Sequence, residues 1–212
     1  MSTLLVTGFE PFGGASINPS AEVVRRLATN GKLPDAATAI LPVDAVQAPR
    51  MITDLLLDHQ PDLCLMLGQA DGYAALAVER VAINLCDFRI PDNAGIRWVD
   101  APIVEGGPAA YFSNAPVRNV VDAIRAAGVP ADLSLSAGVY LCNMVYYIAL
   151  HICATHRLST RCLFIHLPSL PSQASADHSP RPTMALETMY AGVCAAVSGV
   201  RGQEIEEPRT KN

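Results

Sequence analysis

Thiol, imidazole and carboxylate side chains can together perform acyl transfer, and this chain carries one of each in an informative place. Cys142 lies between a strand expected over 133–136 and an apolar helix expected to open at 142. A thiol at a helix N-terminus meets the positive end of the macrodipole, which favours its nucleophilic, ionised form. The unpaired amide N–H groups there can also hold an oxyanion formed on an attacked carbonyl. His166 ends an apolar strand expected over 161–166, and catalytic groups of parallel sheets gather at the carboxyl ends of strands. Glu79 falls inside an expected strand over 76–85, where alternation puts it on one face with Val81, Ile83 and Leu85. A carboxylate on such a face must find a partner, because a lone buried charge is costly. Position alone leaves the plainer roles open: Cys142 as a core thiol, His166 as a structural hydrogen-bonding group, Glu79 as half of a structural ion pair.

The other five cysteines, at 64, 86, 153, 162 and 194, fall in or beside expected strands or inside helices and read as core. None of the six forms a C-x-x-C spacing, so neither a zinc site nor a disulfide framework is indicated. Cys142 and Cys153 are about 16 Å apart along a helix and cannot share an ion. No metal and no cofactor are therefore expected. The glycines of TGFEPFGG at 7–14 match neither the dinucleotide nor the Walker spacing.

The elements that must position these groups alternate along the chain. A buried strand at 4–8 is followed by a helix opening at Asn18-Pro19-Ser20, with Asn as N-cap and Pro in the first turn. A strand over 39–43, a helix capped by Asp44 and reaching 59, and a strand over 62–68 come next. Beyond the 76–85 strand, 89–111 reads as a long loop, 116–127 as an amphipathic helix, and 142–156 as a helix apolar nearly all round. A second long loop with four prolines spans 167–182, and a last helix 183–200. Alternating strands and helices predict a single-domain α/β/α sandwich around a mostly parallel twisted sheet over 1–201, with a polar tail at 202–212. Both long loops adjoin chemistry-bearing side chains, as functional loops often do.

Composition narrows the function classes. The chain has 212 residues, half of them hydrophobic and 17% charged, with a formal net charge of −5. That balance argues against nucleic acid and anionic membrane surfaces as partners. Mean hydropathy is +0.26, yet no apolar run reaches the roughly 18 residues of a membrane span. The first residues lack a basic region and soon reach Gly8, Glu10 and Pro11, so a secretory signal is not expected. Reduced thiols in a cytoplasm are the expectation.

Several segments, in order, resemble the pyroglutamyl peptidase I family of cysteine peptidases. They are VTGFEPFGG and NPS within 6–20, Gly68-Gln69-Ala70, ERVAIN at 79–84, DFRIPDNAG at 87–95, SAGVYLCN at 136–143, FIHLPSLPSQ at 164–173 and MALET at 184–188. The chain departs from the pattern at Asp71-Gly72-Tyr73, where the family usually has a Gly-Gly-Arg-like run, and at Trp98, where proline is common. The resemblance implies a peptidase that removes an N-terminal pyroglutamyl residue, with Cys142 as nucleophile, His166 as base and Glu79 as its orienting carboxylate. It implies ring contacts from Phe9 and Phe12, lactam partners at Gln69 and its neighbouring backbone, a loop held by Asn18, and assistance to the oxyanion from Arg89. It also implies a homo-tetramer. The competing expectations are a thiol amidase on the same scaffold with a different acyl substrate, and a nucleoside-phosphorylase-like enzyme.

Overall fold

The computed structural model describes residues 3–30 and 32–202. Its strands are β1 (Leu4–Phe9), β2 (Ala36–Leu41), β3 (Leu63–Gln69), β4 (Leu76–Glu79), β5 (Val81–Ile83), β6 (Ala110–Phe112), β7 (Ala131–Ser134) and β8 (Arg161–Leu167). Its helices are α1 (Pro19–Asn30), α2 (Gln47–His59), α3 (Val117–Ala126), α4 (Leu141–His156), α5 (Pro171–Ala176) and α6 (Leu186–Arg201). Six strands form one sheet in the order β2-β1-β3-β8-β4-β7. Its ladders are parallel except where β4 meets β8.

Both sheet faces are apolar, which makes three layers. Leu63, Leu65 and Leu67 of β3 and Leu163, Ile165 and Leu167 of β8 face α1, α3 and α6. The alternate residues Cys64, Met66, Cys162 and Phe164 face α2 and α4. Strands covered on both faces become continuous apolar runs, as here. α4 is buried along most of its length, including Val145, Tyr146 and Tyr147, which accounts for its lack of a polar face. No helix among the described residues is long and apolar enough to cross a membrane.

Several boundaries differ from expectation. The strand expected over 76–85 breaks at Arg80. There the Arg80 N–H donates to Ser134 of β7, while its carbonyl accepts from Ser113. Its guanidinium also donates to the Ser113 carbonyl. These bonds end the β4 ladder and turn Val81–Ile83 out of the sheet, to pair with β6 as a two-stranded ribbon over α4. Ribbon strand β6 lies at the end of the expected 89–111 loop. The loop expected over 167–182 contains α5, whose start carries Pro171 and a Gln173 side chain that accepts from the Leu170 N–H. The strand expected over 39–43 lies earlier, as β2. Of the expected tail, Gly202 ends α6 and 203–212 lie outside the described residues.

Candidate active site

Period-two geometry brings Glu79 and His166 together. Ala77 of β4 is the register partner of His166 in β8. Glu79, two residues on, projects from the same face, diagonally across from His166, within reach of a long side chain. The His166 Nδ1–Glu79 Oε1 distance is 2.7 Å, and both side chains are buried. Glu79 Oε2 has no hydrogen-bond partner among the described residues, so His166 is the carboxylate's sole side-chain partner there. Burial alone would favour neutral imidazole. The charge and hydrogen bond of Cys142, then those of Glu79, outweigh it and raise the His166 pKa to about 10.

Cys142 is the second residue of α4 and stands on the sheet face that carries His166. The helix is capped by backbone at Tyr140, with no side-chain cap. Its first internal bond runs from the Met144 N–H to the Tyr140 carbonyl. The amides of Leu141, Cys142 and Asn143 precede that bond and have no partner within the helix. Asn143 anchors this turn. Its Oδ1 accepts from the Ile83 N–H, and its Nδ2 donates to the Ile83 and Leu85 carbonyls.

The sheet approaches Cys142 closely at Gly68 of β3. A Cβ there would sit 2.8 Å from Cys142 Sγ and 2.9 Å from the Phe164 ring. Phe164 is fully buried and has little room to give, so the thiol would move. Gly68→Ala is therefore expected to leave the fold intact and lower kcat by about 10²-fold, the scale of a 1 Å misplacement. Unchanged kcat in the purified variant would show that the thiol tolerates displacement.

Cys142 and His166 open onto a cavity of about 180 Å³ whose apolar walls include Phe9, Phe12, Val43 and Tyr140. Phe12 and Tyr140 face each other with ring centroids 6.1 Å apart. The remaining lining residues are Ala137, Leu141, Asn18 and Gln69, so among the described residues no Asp or Glu borders the cavity. The aromatic walls are held by the loop between β1 and α1. Gly8 lets α1 approach, since a Cβ would meet the Ser20 backbone at 2.7 Å. Ser20 Oγ then accepts from the Phe9 N–H. Glu10 accepts from the Val43 N–H and the Asn93 side chain, which ties the 87–95 segment to the same wall.

The expected site residues are thus unequal in place. Phe9, Phe12, Asn18 and Gln69 border the cavity with Cys142 and His166. Asn18 spends its side chain on the loop, donating to the Glu10 carbonyl and accepting from the Ser20 N–H and hydroxyl. Arg89 stands outside the cavity, on an adjoining groove lined also by Gly13, Ile90 and Arg181. Tyr140, Val43 and Ala137 were not anticipated as walls. Tyr140 and Ala137 lie inside the SAGVYLCN segment, which was a usable signal; Val43 is brought in by the fold alone.

The other thiols sit differently. Cys64, Cys86, Cys153 and Cys162 are buried. Burial pushes the Cys64 thiol well up, and that of Cys86 to about 12. Among the described residues, no three His, Cys, Asp or Glu side chains gather in a metal-holding group.

Residues 2–203 match the family profile described as pyroglutamyl peptidase. The pyrrolidone-carboxylate peptidase 1 of Ralstonia nicotianae is 47% identical over 206 residues, covering 96% of this chain and 95% of that protein. The pyrrolidone-carboxylate peptidase of Vibrio vulnificus is 49% identical over 195 residues, 91% of this chain and 90% of that protein. Among solved structures, pyroglutamyl peptidase I of Bacillus amyloliquefaciens matches with a TM-score of 0.91 at 34% identity, over 98% of this chain and 100% of that one. A mutant pyrrolidone carboxyl peptidase of Pyrococcus furiosus matches at 0.90 and 37% identity, over 96% and 100%.

Proposed function

The chain belongs to the pyroglutamyl peptidase family and is a cysteine exopeptidase acting on pyroglutamyl–peptide bonds; from that premise we propose that Cys142, His166 and Glu79 carry the reaction and that the adjoining cavity takes the pyroglutamyl ring. Cys142 attacks the carbonyl joining pyroglutamate to the next residue. His166 Nε2 takes the thiol proton and returns it to the leaving amine. Nδ1–H donates to Glu79, which fixes the tautomer and stabilises the imidazolium. The tetrahedral oxyanion falls to the unpaired amides of the first turn of α4. Water then hydrolyses the acyl-enzyme, with His166 as base.

One observation carries this assignment: Cys142 and His166 open onto an apolar, aromatic cavity with no carboxylate of the described residues on its wall. A peptide's free α-ammonium finds no counter-charge there and pays its desolvation. Pyroglutamate has no ammonium. Its flat lactam needs only apolar walls and neutral partners for one N–H and one C=O. Chromophore release from a pyroglutamyl anilide by reduced enzyme tests this. Release is expected there and not from a prolyl anilide; equal release from both would refute the ring site.

A further inference from the structure

Gln69 borders the proposed ring cavity on one side and the adjoining groove on the other. A carboxamide can offer a donor or an acceptor, so its orientation decides what a bound ring meets. Here the orientation follows from partners whose roles cannot change. The Leu170 backbone N–H can only donate, and it donates to Gln173 Oε1 at 2.8 Å. The Ile17 carbonyl can only accept, and it takes Gln173 Nε2 at 3.2 Å. Gln173 is buried, and these two backbone groups set its amide without reference to any other side chain. Its Nε2 also donates to Gln69 at 3.2 Å, so the Gln69 atom there must be Oε1.

The opposite end gives the same answer independently. Gln69 Nε2 donates to Asp71 Oδ1 at 2.8 Å, and a carboxylate only accepts. Ser169, fully buried, donates its hydroxyl to that same oxygen at 2.5 Å. Its lone pair is thereby left for the second Gln69 N–H, at 3.4 Å. Arg181 lies 3.7 Å from the other Asp71 oxygen and holds the exposed carboxylate from outside. Among the described residues both Gln69 N–H groups are spent, and one Oε1 lone pair is not.

We infer that Asp71, Ser169 and Gln173 are positioning residues that set the polarity of Gln69, so that it meets the substrate ring only as a hydrogen-bond acceptor, the match for a lactam N–H. The inference rests on the ring site proposed above. It gives Asp71, where the chain departs from the family pattern, a role in choosing the substrate. A ring with CH₂ in place of the lactam N–H would leave Oε1 unsatisfied on binding, and a site built to bond an N–H rejects such an analogue strongly.

The test compares kcat/KM for a pyroglutamyl anilide and for 3-oxocyclopentanecarbonyl anilide, its CH₂ counterpart. The unsubstituted enzyme should prefer the lactam by about 10²-fold or more. Asp71→Ala frees one Gln69 N–H but leaves Gln173 holding Oε1, so the decisive variant is Asp71→Ala/Gln173→Met, in which neither end sets the amide and the preference should fall about tenfold, mainly through KM of the lactam. Gln173→Glu alone places an acceptor against Oε1 and should also reduce the preference; if the double variant does not fold, the ratio in Gln173→Glu decides. A merely structural role would lower both substrates together, so an unchanged ratio in the folded double variant overturns the inference. Absence of lactam turnover by the unsubstituted enzyme would remove the ring-site reading and the inference with it.

Discussion

Cys142→Ala is expected to abolish turnover of a pyroglutamyl anilide, a loss on the order of 10⁵-fold or more, while Cys64→Ala and Cys194→Ala remain active. The asymmetry comes from placement. Cys142 is partly accessible, borders the cavity beside His166, and lies in a helix turn whose amides have no partner within the helix. Cys64 is buried in the sheet, where its thiol is held protonated and unreachable. Cys194 lies in α6, on the far side of the sheet from the cavity. Removing the thiol leaves the first-turn amides of α4 and the aromatic cavity in place, so substrate should still bind. Retained turnover in Cys142→Ala, or its loss in Cys194→Ala, would place the nucleophile elsewhere.

Glu79→Gln should be nearly as severe, about 10⁴-fold in kcat, the scale for neutralising the orienting carboxylate of a triad. The side chain keeps its shape but loses the charge that stabilises the imidazolium. A pH profile separates this from misfolding. His166 has its pKa raised to about 10, with Glu79 contributing a hydrogen bond and a charge. In the proposed mechanism the imidazolium protonates the leaving amine, so kcat/KM of the unsubstituted enzyme should fall as pH rises through about 10. Removing the Glu79 charge lowers that pKa, and the alkaline limb should move to lower pH. The linkage has the same sign. A folded pKa raised above the ordinary ~6.5 gives stability that is full below that value and is lost as pH climbs toward about 10. An unmoved alkaline limb in Glu79→Gln would deny the carboxylate its role.

Much of the site was legible because the chemistry lies where local signals are strong. Asn18-Pro19 marks the start of α1, and Ser20, one residue on, supports Phe9. The apolar run after Cys142 predicts a buried helix opening at the thiol, and α4 begins one residue earlier. The alternation that put Glu79 on a buried face holds through β4. It fails beyond Arg80, because the bonds that end the strand come from Ser113 and Ser134, distant in sequence. The antiparallel crossing of β4 and β8, which sets Glu79 diagonally across from His166, is a tertiary property and has no local signature. The Asn143 clamp was hidden for a related reason. An Asn one residue after Cys142 has little meaning until the ribbon strand β5 is folded over α4 to receive it. Arg89 shows the reverse case: its motif placed it near the chemistry, but its side chain lines the neighbouring groove. Gln173 sits in a segment whose prolines read as loop, and its bonds to Leu170 and Ile17 come with the folding of α5.

Stoichiometric alkylation followed by turnover tests the central claim most directly. Reduced enzyme is titrated with iodoacetamide, residual release from the pyroglutamyl anilide is measured at each point, and the label is located by peptide mass. The triad predicts that activity falls linearly to zero as one thiol per chain is modified, and that the label sits on Cys142. Full modification of Cys142 with turnover intact, or inactivation that follows a label on another cysteine, would contradict it.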